Sequence, residues 1–358
     1  MSTKGNKELI WIYEENHHMG LLYLGISIAF VILFFVNIIW IGLNLYLWIV
    51  NGIQFLLEGM NFAERVYASI YLKWILLGDG LWLVIVLVFL LKRKNYKTDP
   101  NLHYLKYKPI KKPRICVSMH AYNENLAIEQ SVKDFISQKN VFQLNVIDNH
   151  SLDNTVEKAK KAGANVITKN ENKGYAHSWV MGLKEALKTN ANIIVITDAD
   201  GTFNGYDIEK MVPYLDNCDM VIGTRLTQVL TEKGNQNSMF YVWGNRFIAV
   251  LLQIKYFSLL HMGVLQLTDV GCSYRCIRRE ALEKIIDEFT LPESDEIIPI
   301  ANGNRIALFT TSIVIEKNLK IVEVPITFKK RIGISKYTKN KWQGLRSGFE
   351  FIWFILRS

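Results

Sequence analysis

Two long apolar segments occupy the N-terminal part of the chain. Residues 21–50 hold no charged side chain, and residues 72–91 hold two. A helix needs about 20 apolar residues to cross the hydrocarbon core of a bilayer. The pattern therefore predicts an N-terminal membrane region, residues 1–94, with transmembrane helices at about residues 21–43 and 72–91.

Basic residues lie on one side of this predicted hairpin. The connection between the two segments carries a single basic residue, Arg65, whereas residues 92–114 are dense in Lys and Arg. The positive-inside rule places the basic side in the cytoplasm. We expect a multi-pass protein of a plasma or ER-type membrane, with the following domain in the cytoplasm. Asp79 lies within the second segment, where an acid is costly; it is either functional or close to the non-cytoplasmic interface.

The pattern changes after a basic linker at residues 95–113. Short runs rich in Val and Ile alternate with segments of helical period, which is typical of a mostly parallel sheet covered by helices. The runs are ICVSM, LNVID, NVITK, NIIVITD and DMVIG, and the helices between them are predicted at residues 125–139, 154–162 and 175–188. Ligands of such sheets bind beyond the carboxyl ends of the strands. The tips there, HAYNEN, DNHSLDN and DADG, are polar or acidic.

Two later segments are apolar but are not predicted to span a membrane. Residues 239–260 are interrupted by Arg246 and Lys255, which favours a buried or interface-lying helix. The C-terminal segment, residues 337–358, is basic at first and rich in aromatic residues from Phe349 onward. This combination predicts an amphipathic helix at the membrane surface. Such a helix also offers a surface for pairing in a homo-oligomer.

Charge narrows the choice of partners. The chain of 358 residues carries a formal net charge of +9, and half of its residues are hydrophobic. A basic balance suits nucleic acid, anionic lipid or phosphorylated substrates. Because the excess lies beside a predicted span and near the C-terminus, and no stacking-aromatic motif is visible, we expect a lipid surface and no nucleic acid. The four cysteines form no CxxC pair and are expected to be thiols in a reducing compartment.

Two carboxylates end one of the predicted strands. In VITDADGTF, Asp198 and Asp200 follow a run of Val and Ile directly. One acid there could cap a helix, but two suggest a divalent cation or the sugar of a nucleotide. Hard cations such as Mg²⁺ or Mn²⁺ bind a carboxylate or two together with substrate phosphates. The alternative is a pair of solvated loop acids.

The tips, taken in order along the chain, resemble a known family. AYNEN, IDNHSLDNT, ENKGYAHSWVMG and TDADG follow one another as in the family 2 glycosyltransferases, which have the GT-A fold. DMVIGTR, GNRF, TDVGCSYRCIRREAL and IVEVPITFKKRIGISK are similar to the branch that transfers sugars to dolichol or polyprenol phosphate. The resemblance covers about Arg114 to Lys336 and implies a GT-A catalytic domain at residues 114–336. His120, Asn149 and His150 depart from the usual proline, aspartate and glycine.

The resemblance implies a binding site for a nucleotide-sugar donor at the strand tips. Structural alternatives exist at some of these positions: Asn123 as the N-cap of the following helix, Asp153 as the N-cap of the next helix, and Gly174 as a turn residue. For the cation, the resemblance implies Asp200 as the direct ligand of Mg²⁺ or Mn²⁺ and Asp198 as a partner through ribose or bound water. The residues carried over for the donor are Ala121, Tyr122, Asn123, Glu124, Asp148, Asn149, Lys173, Gly174, Asp198 and Ala199.

The resemblance also implies an acceptor site. A lipid phosphate is already an anion near neutral pH, so it needs positioning and charge compensation rather than a strong base. Asp269 in TDVGCSYR orients the acceptor, acts as a base toward a hydroxyl acceptor, or only bonds nearby backbone. Arginine forks match phosphate oxygens, and the candidate acceptor residues are Arg225, Arg246, Ser273, Arg331 and Lys336. The candidate catalytic residues are Asp200, Asp269, Arg225, Arg331 and Lys336.

These patterns together predict a membrane-bound, inverting, metal-dependent hexosyltransferase. It would move one hexose from a UDP- or GDP-sugar to a polyprenyl phosphate, such as dolichyl or undecaprenyl phosphate, on the cytoplasmic face. The alternative enzyme adds the sugar to a hydroxyl of a lipid-linked glycan or surface polysaccharide. A processive synthase is disfavoured because no QxxRW element is present. A non-catalytic, membrane-anchored scaffold with the same fold is the remaining alternative.

Overall fold

The computed structural model describes most of the chain beyond residue 106 and nine isolated helical positions before it. Apart from those positions, the predicted transmembrane helices, Asp79 and the first part of the linker lie outside the described residues, as does Lys336. Among the residues described, no helix has the length and hydropathy needed to cross a membrane. Beyond residue 106 the described residues are 107–232, 239–256, 266–291, 294, 296–333 and 341–357.

The chain divides into two compact units, and the elements that follow belong to the second, residues 95–256 and 264–358. Its strands are β1 (Ile115–Ala121), β2 (Val141–Asp148), β3 (Asn165–Thr168), β4 (Ile193–Asp198), β5 (Met220–Thr224), β6 (Arg275–Arg278) and β7 (Ile321–Pro325). They form one sheet in the order β3-β2-β1-β4-β6-β5-β7. β6 runs antiparallel to both neighbours, and the other pairs are parallel. The predicted α/β class with a mostly parallel sheet is confirmed.

Burial explains which strands the sequence pattern predicts. β1 and β5 are buried along their whole length, and β4 is buried up to its last residue, as apolar runs covered on both faces require. β6 has the sequence RCIR, yet all four of its residues are buried. The guanidinium of Arg275 donates to two backbone carbonyls and to the hydroxyl of Thr311. Hydrogen bonds thus replace apolar burial in β6, and the hydrophobic pattern does not predict it.

Helices and short turns connect the strands. The helices Thr155–Lys161 (α2) and Tyr175–Leu187 (α3) match the predicted ranges 154–162 and 175–188 within one residue at each end. The two later apolar segments contain the helices Met239–Lys255 (α5) and Lys341–Arg357 (α8). Their relation to a membrane stays a prediction. The helices are α1 (Ile128–Ile136), α2 (Thr155–Lys161), α3 (Tyr175–Leu187), α4 (Asp207–Met211), α5 (Met239–Lys255), α6 (Arg279–Glu283), α7 (Arg305–Glu316) and α8 (Lys341–Arg357), with 3₁₀ turns at Val212–Asp216, Gln228–Leu230, Ile286–Phe289 and Pro299–Ala301.

α1 begins later than predicted. The helix expected from residue 125 starts at Ile128, because a turn precedes it in which the carbonyl of Glu124 accepts from two amides at 3.1 and 2.9 Å. Ala127 occupies the N-cap position, so the interpretation of Asn123 as the N-cap is wrong; Asn123 lies in the preceding turn with a φ of 52°. Its side chain instead accepts from the amide of Leu152 at 2.8 Å. Asn123 therefore ties the tip of β1 to the loop after β2.

α3 approaches β1 closely at Gly182. A Cβ atom there would lie 2.0 Å from the Oγ of Ser118 on β1, far inside van der Waals contact. Trp179, one turn earlier on α3, is fully buried. The close approach matters because α3 begins at Tyr175, which reaches the functional edge of the sheet.

We expect Gly182→Ala to destabilise the domain by about 1–3 kcal/mol, the usual effect of overpacking a filled core. Thermal unfolding of the full chain in detergent measures the change. Gly348→Ala is the control, because a Cβ at Gly348 meets no atom within 4 Å. Equal transition temperatures for the two variants would show that α3 moves away from β1 without loss of stability.

Candidate active site

The order of the strands reverses between β1 and β4. β2 and β3 follow on one side of β1, whereas β4 lies on its other side. Such a switch point opens a crevice beyond the carboxyl ends of the strands, where α/β proteins bind ligands. The register pairs Ala121 with Asp148 and His120 with Asp198. The polar tips predicted from the sequence therefore meet at one edge.

Asp198 ends β4 and is held by two hydroxyl groups. Tyr175 donates to Oδ1 at 2.9 Å, and Ser273 donates to Oδ2 at 2.5 Å. Nδ1 of His120 lies 3.9 Å from Oδ1, beyond hydrogen-bond distance, so its effect on the carboxylate is electrostatic. Burial alone would raise the pKa of Asp198, but the imidazole and the two hydroxyls outweigh burial and lower that pKa. Asp198 is therefore an oriented, ionised carboxylate.

Asp200 lies two residues beyond, in the loop after β4. Its Oδ1 accepts from the amide and the hydroxyl of Thr202 at 3.1 and 2.6 Å. Its Oδ2 accepts from Nη1 of Arg331 at 2.6 Å. Burial and the negative charge of Asp198 raise the pKa of Asp200, against the opposing effect of Arg331. The second guanidinium nitrogen of Arg331 donates to Glu124, so this arginine joins the predicted cation ligand to a residue predicted for the donor site.

The loops after β1 and β2 are bonded to each other. The amide of Asn123 donates to the hydroxyl of Ser151 at 2.8 Å, and the amide of Glu124 donates to Thr155 at 2.8 Å. Asp153 accepts from the amide of Thr155 at 3.0 Å and from the amide of residue 125 at 3.3 Å. Asp153 therefore holds the start of α2, but Asn154 occupies the N-cap position, so the interpretation of Asp153 as the N-cap is wrong.

Two residues predicted for the donor site, Asp148 and Asn149, lie beside these loops. Asp148 is fully buried and accepts from the amide of Ser151 at 3.2 Å. The side-chain amide of Asn149 donates to Oδ1 of Asn172 at 2.6 Å, and the amide of Gly174 donates to that same oxygen at 3.0 Å. Gly174 has a φ of 86°, so a glycine is needed there for the turn into α3. The structure thus brings together the motifs after β1 and β2 and the motif that precedes α3.

Two departures from the family pattern find a place in the structure. His120 stacks on Trp179 with ring centroids 5.5 Å apart, and contacts Tyr175 edge-on. His150 has a φ of 64°, in the left-handed region that glycine adopts most easily. Its Nδ1 lies 3.3 Å from the carbonyl oxygen of Lys169. The turn after β2 therefore keeps a conformation suited to the glycine that usually stands there.

Arg225 and Asp269 face each other as a buried pair. Nε and Nη2 of Arg225 donate to the two carboxylate oxygens at 2.7 Å each, and the Arg225 amide donates to Oδ2 at 3.0 Å. Burial would lower the pKa of Arg225, but Asp269 outweighs burial and raises that pKa. Glu323 on β7 accepts from the amides of Thr268 and Asp269 at 2.9 and 2.8 Å. Hydrogen bonds therefore hold both the carboxylate and the backbone amide of Asp269.

The remaining predicted residues lie at different places. Ser273, predicted for the acceptor, contacts Asp198 instead. Arg246 is exposed on α5, and Lys173 is exposed before α3. Ala199 is buried, and its amide donates to the carbonyl of His120 at 3.2 Å. All four cysteines are buried and free of disulfides.

Several residues of the site were not predicted. Tyr175, Thr202 and Glu323 orient the predicted acids, but each stands in a motif where only its neighbours carry an obvious signal. Lys169, at the end of β3, is buried, and burial lowers its pKa to about 8 despite the opposing effect of Asp148. A lysine closing an apolar run is indistinguishable in sequence from an exposed strand end.

The acidic residues at this edge fit a hard divalent cation. Asp198 and Asp200 offer carboxylate oxygens, the ligands that Mg²⁺ and Mn²⁺ prefer. Within the described residues, no group of three or more His, Cys, Asp or Glu side chains is placed to hold a metal ion. Magnesium sites commonly use one or two carboxylates and complete their coordination with substrate phosphates and water. The two aspartates therefore suit a cation that arrives with a diphosphate.

Comparison with known proteins identifies the family. Residues 116–286 match the family described as Glycosyl transferase family 2. Protein RfbJ of Shigella flexneri is 30% identical over 127 residues, which are 35% of this chain and 91% of RfbJ. The chain belongs to glycosyl transferase family 2. It is a glycosyltransferase enzyme with the α/β, GT-A-like fold that the resemblance implied.

Two other relatives of this family 2 glycosyltransferase are named for lipid phosphates. Polyprenol monophosphomannose synthase of Mycolicibacterium smegmatis is 26% identical over 173 residues, 48% of this chain and 58% of that protein. Undecaprenyl-phosphate mannosyltransferase of Micrococcus luteus is 22% identical over 261 residues, 65% of this chain and 98% of that protein. Glu323 and Arg331 lie beyond the matched family region, although the fold brings both to the site.

We expect Ser273→Ala to weaken Mn²⁺ binding by about 10–100-fold, the usual effect of losing a residue that orients a metal ligand. The variant removes the donor to Oδ2 of Asp198. Titration of Mn²⁺ by electron paramagnetic resonance, with the nucleoside diphosphate present, measures the affinity. Ser294→Ala is the control, because Ser294 lies exposed in a distant loop. If both variants bind Mn²⁺ as the unmodified chain does, Asp198 takes no part in binding the cation.

Proposed function

We propose that this enzyme moves a hexose from a UDP- or GDP-sugar to a polyprenyl phosphate at the cytoplasmic face of a membrane, with inversion and with Mg²⁺ or Mn²⁺. The proposal rests on the burial and the hydrogen bonds of Asp269, the carboxylate that the sequence suggested as a possible base. It is fully buried and accepts from Arg225 at both oxygens. A phosphate acceptor needs no base, whereas a hydroxyl acceptor does. The names of the two lipid-phosphate relatives support the same choice.

The residues of the site divide the work between donor and acceptor. Asp198 and Asp200 would hold the cation, which supplies Lewis-acid stabilisation of the leaving nucleoside diphosphate. Arg225 and Arg331 would place positive charge near the acceptor phosphate. An oxygen of that phosphate forms a bond to the anomeric carbon while the bond to the diphosphate breaks on the opposite face. The configuration inverts, and no proton has to be removed.

An exposed apolar surface on α5 and α8 supports the membrane part of the proposal. The two helices pack against each other, and Lys255 donates to the carbonyl of Ile355 at 2.9 Å. The sequence from Lys329 to Arg346 holds seven basic residues and no acid. Basic residues beside exposed aromatic ones suit an anionic lipid surface. Among the side chains of these two helices that the structure describes, the large apolar ones that are exposed are Phe247, Val250, Phe349 and Trp353.

We expect a fluorophore attached to Trp353→Cys to be quenched by spin-labelled lipids when the full chain is reconstituted into vesicles that contain anionic lipid. Trp353 is 61% exposed on α8, where the proposal places the headgroup region. The same fluorophore on Leu152→Cys is the control, because Leu152 is 80% exposed in the loop after β2. The native cysteines are buried and contribute little background. Equal quenching at the two positions would argue against a membrane-facing α8.

The direct test of the proposed function is transfer of label into lipid. Membranes that contain the full chain are incubated with labelled UDP- or GDP-sugars, polyprenyl phosphate and Mg²⁺ or Mn²⁺. The expected product is an organic-extractable, mild-acid-labile sugar lipid that does not form in the presence of EDTA. The donor that gives this product identifies both the sugar and the base.

Two results would contradict the proposal in different ways. Metal-dependent release of nucleoside diphosphate without labelled lipid would leave the donor site standing and move the acceptor to a hydroxyl of a glycan. If labelled lipid forms equally well in the presence of EDTA, the reaction does not need a divalent cation.

A further inference from the structure

Arg331 lies between two acids of the predicted donor site. Nη1 donates to Oδ2 of Asp200 at 2.6 Å, and Nη2 donates to Oε1 of Glu124. Both carboxylates are largely buried, with 11% of each side chain exposed. Nε of Arg331 is buried and has no hydrogen-bond partner among the described residues. The guanidinium is therefore held by two ion pairs and is not satisfied as a whole.

A divalent cation on Asp200 and the guanidinium of Arg331 compete for the same place. Magnesium binds carboxylate oxygens at about 2.0–2.1 Å, closer than the guanidinium nitrogen now lies to Oδ2. The two oxygens of Asp200 already accept three hydrogen bonds, from Thr202 and from Arg331. Positive charges on the same carboxylate also repel each other. Release of Arg331 from Oδ2 therefore removes a competing donor and a repelling charge from an oxygen that a cation would bind.

The backbone beside Arg331 stays attached to the same loop. The amide of Ile332 donates to the carbonyl of Asp200 at 3.1 Å, and the amide of Lys329 donates to the carbonyl of Thr202 at 2.7 Å. Ile332 also lies against Gly201, where a Cβ would come within 2.8 Å of its Cδ1. A change of the Arg331 side chain alone can therefore release Asp200, and the released guanidinium remains near the reacting atoms.

We propose that Arg331 occupies the place of the cation in the ligand-free enzyme and is released toward the acceptor only when the donor and its cation bind. The role of the released guanidinium rests on the proposed function, because it assumes that the acceptor is a phosphate. Donor binding then precedes acceptor binding. Arg331 acts as a positioning residue for Asp200 before it contacts the substrate.

The first experiment titrates Mn²⁺ into the full chain in detergent without nucleotide, with free Mn²⁺ measured by electron paramagnetic resonance. Arg331→Gln is expected to bind Mn²⁺ about tenfold more tightly than the unmodified chain, within the range usual for coupled sites. Addition of UDP or GDP should reduce this difference, because the diphosphate displaces Arg331 in the unmodified chain. Arg331→Lys keeps one charge but has no fork, so its affinity should fall between the two.

The matched control is Lys330→Gln, which removes the same charge one residue away. Lys330 is exposed, and its backbone amide donates to Oε2 of Glu232 at 2.6 Å. Its Mn²⁺ affinity should equal that of the unmodified chain. If Arg331→Gln binds Mn²⁺ no more tightly than Lys330→Gln while it still binds nucleotide, Arg331 does not occupy the cation position and the inference is wrong.

A second experiment needs no variant and so does not depend on how Arg331→Gln folds. Labelled donor bound with Mn²⁺ is chased with excess unlabelled donor and polyprenyl phosphate, and the label should be trapped as product. In the reverse order, labelled polyprenyl phosphate is bound first and chased with excess unlabelled polyprenyl phosphate, donor and Mn²⁺. The label should not be trapped as product. Label from the prebound acceptor that appears in the product would overturn the binding order.

The outcome for Arg331 can be separated from the outcome for the proposed function. The Mn²⁺ titration without nucleotide involves no acceptor, so it decides the Arg331–cation competition even if no sugar lipid forms. Labelled lipid together with unchanged Mn²⁺ affinity in Arg331→Gln would leave the proposed function standing and remove only the inference.

Discussion

Asp200→Asn is expected to lower the rate of sugar transfer by at least about 10²–10³-fold, the size of effect found when a charge-stabilising group is removed from an active site. The amide has the shape of the carboxylate, and its oxygen can still accept from Thr202. It carries no charge, however, and is a much poorer ligand for a hard cation. Arg331 keeps its ion pair with Glu124 when the charge of Asp200 is lost, so the variant should still fold while it fails in catalysis. Initial rates of lipid labelling, with thermal unfolding measured alongside, test both parts of this expectation.

The control for Asp200→Asn is Asp287→Asn, the same substitution at an exposed acid in a 3₁₀ turn. It should leave the rate unchanged. A second expected consequence separates loss of the cation from misfolding: nucleotide affinity should become independent of Mn²⁺ in Asp200→Asn. If the variant retains more than about a tenth of the rate, a difference of less than 1.4 kcal/mol in the barrier, Asp200 is not a direct ligand of the cation.

The sequence predicted the strands and the acids of the site because both depend on local patterns. Apolar runs predicted β1 to β5, and the acids at their ends were expected to meet because parallel strands share a carboxyl edge. Asp198 was singled out for this reason, and the register places it beside His120 on β1. β6 was not predicted, because two of its four residues are arginines and not apolar side chains. Hydrogen bonds to backbone carbonyls satisfy their buried guanidinium groups.

The partners of the predicted residues could not be read from the sequence. Arg331 and Glu124 are 207 positions apart, and their contact depends on how the segment after β7 lies against the loop after β4. Ser273 was assigned to the acceptor through its motif, yet the fold turns its hydroxyl toward Asp198. The N-cap predicted for Asn123 failed because a turn comes before α1. In each case a side chain of the expected type has a neighbour set by tertiary packing.

The motif resemblance also says nothing about which charges neutralise each other in the ligand-free enzyme. Arg225, Arg331 and Asp269 were predicted as separate catalytic residues. In the structure Arg225 is paired with Asp269, and Arg331 with Asp200. Two of the predicted acceptor cations are thus paired with acids. The acceptor phosphate has to compete with Asp269 for Arg225, or to bind the Nη1 group that lies outside this pair.

Asp269→Asn is expected to destabilise the domain by about 3–5 kcal/mol, the effect of breaking a buried ion pair by removing one partner. Asp269 is fully buried, and Arg225 has only 15% of its side chain exposed. An asparagine can accept through one oxygen, but its amide group would then face a guanidinium nitrogen, donor against donor. The charge of Arg225 would remain buried without a partner. Denaturant unfolding of the full chain in detergent measures the loss.

The double variant Arg225→Met with Asp269→Leu separates the structural contribution of this pair from a catalytic one. Apolar residues of similar volume often replace a buried pair with little loss of stability, so the double variant should recover much of what Asp269→Asn loses. Its transfer rate should stay low, because Arg225 is also proposed to face the acceptor phosphate. A base acting on a hydroxyl acceptor predicts the opposite for Asp269→Asn: normal stability, a large fall in kcat, and loss of the acid limb of the pH–rate profile. The pairing of both Asp269 oxygens with Arg225 favours the first result, since hydrogen bonds from Arg225 already take three of the about four lone pairs of this buried carboxylate.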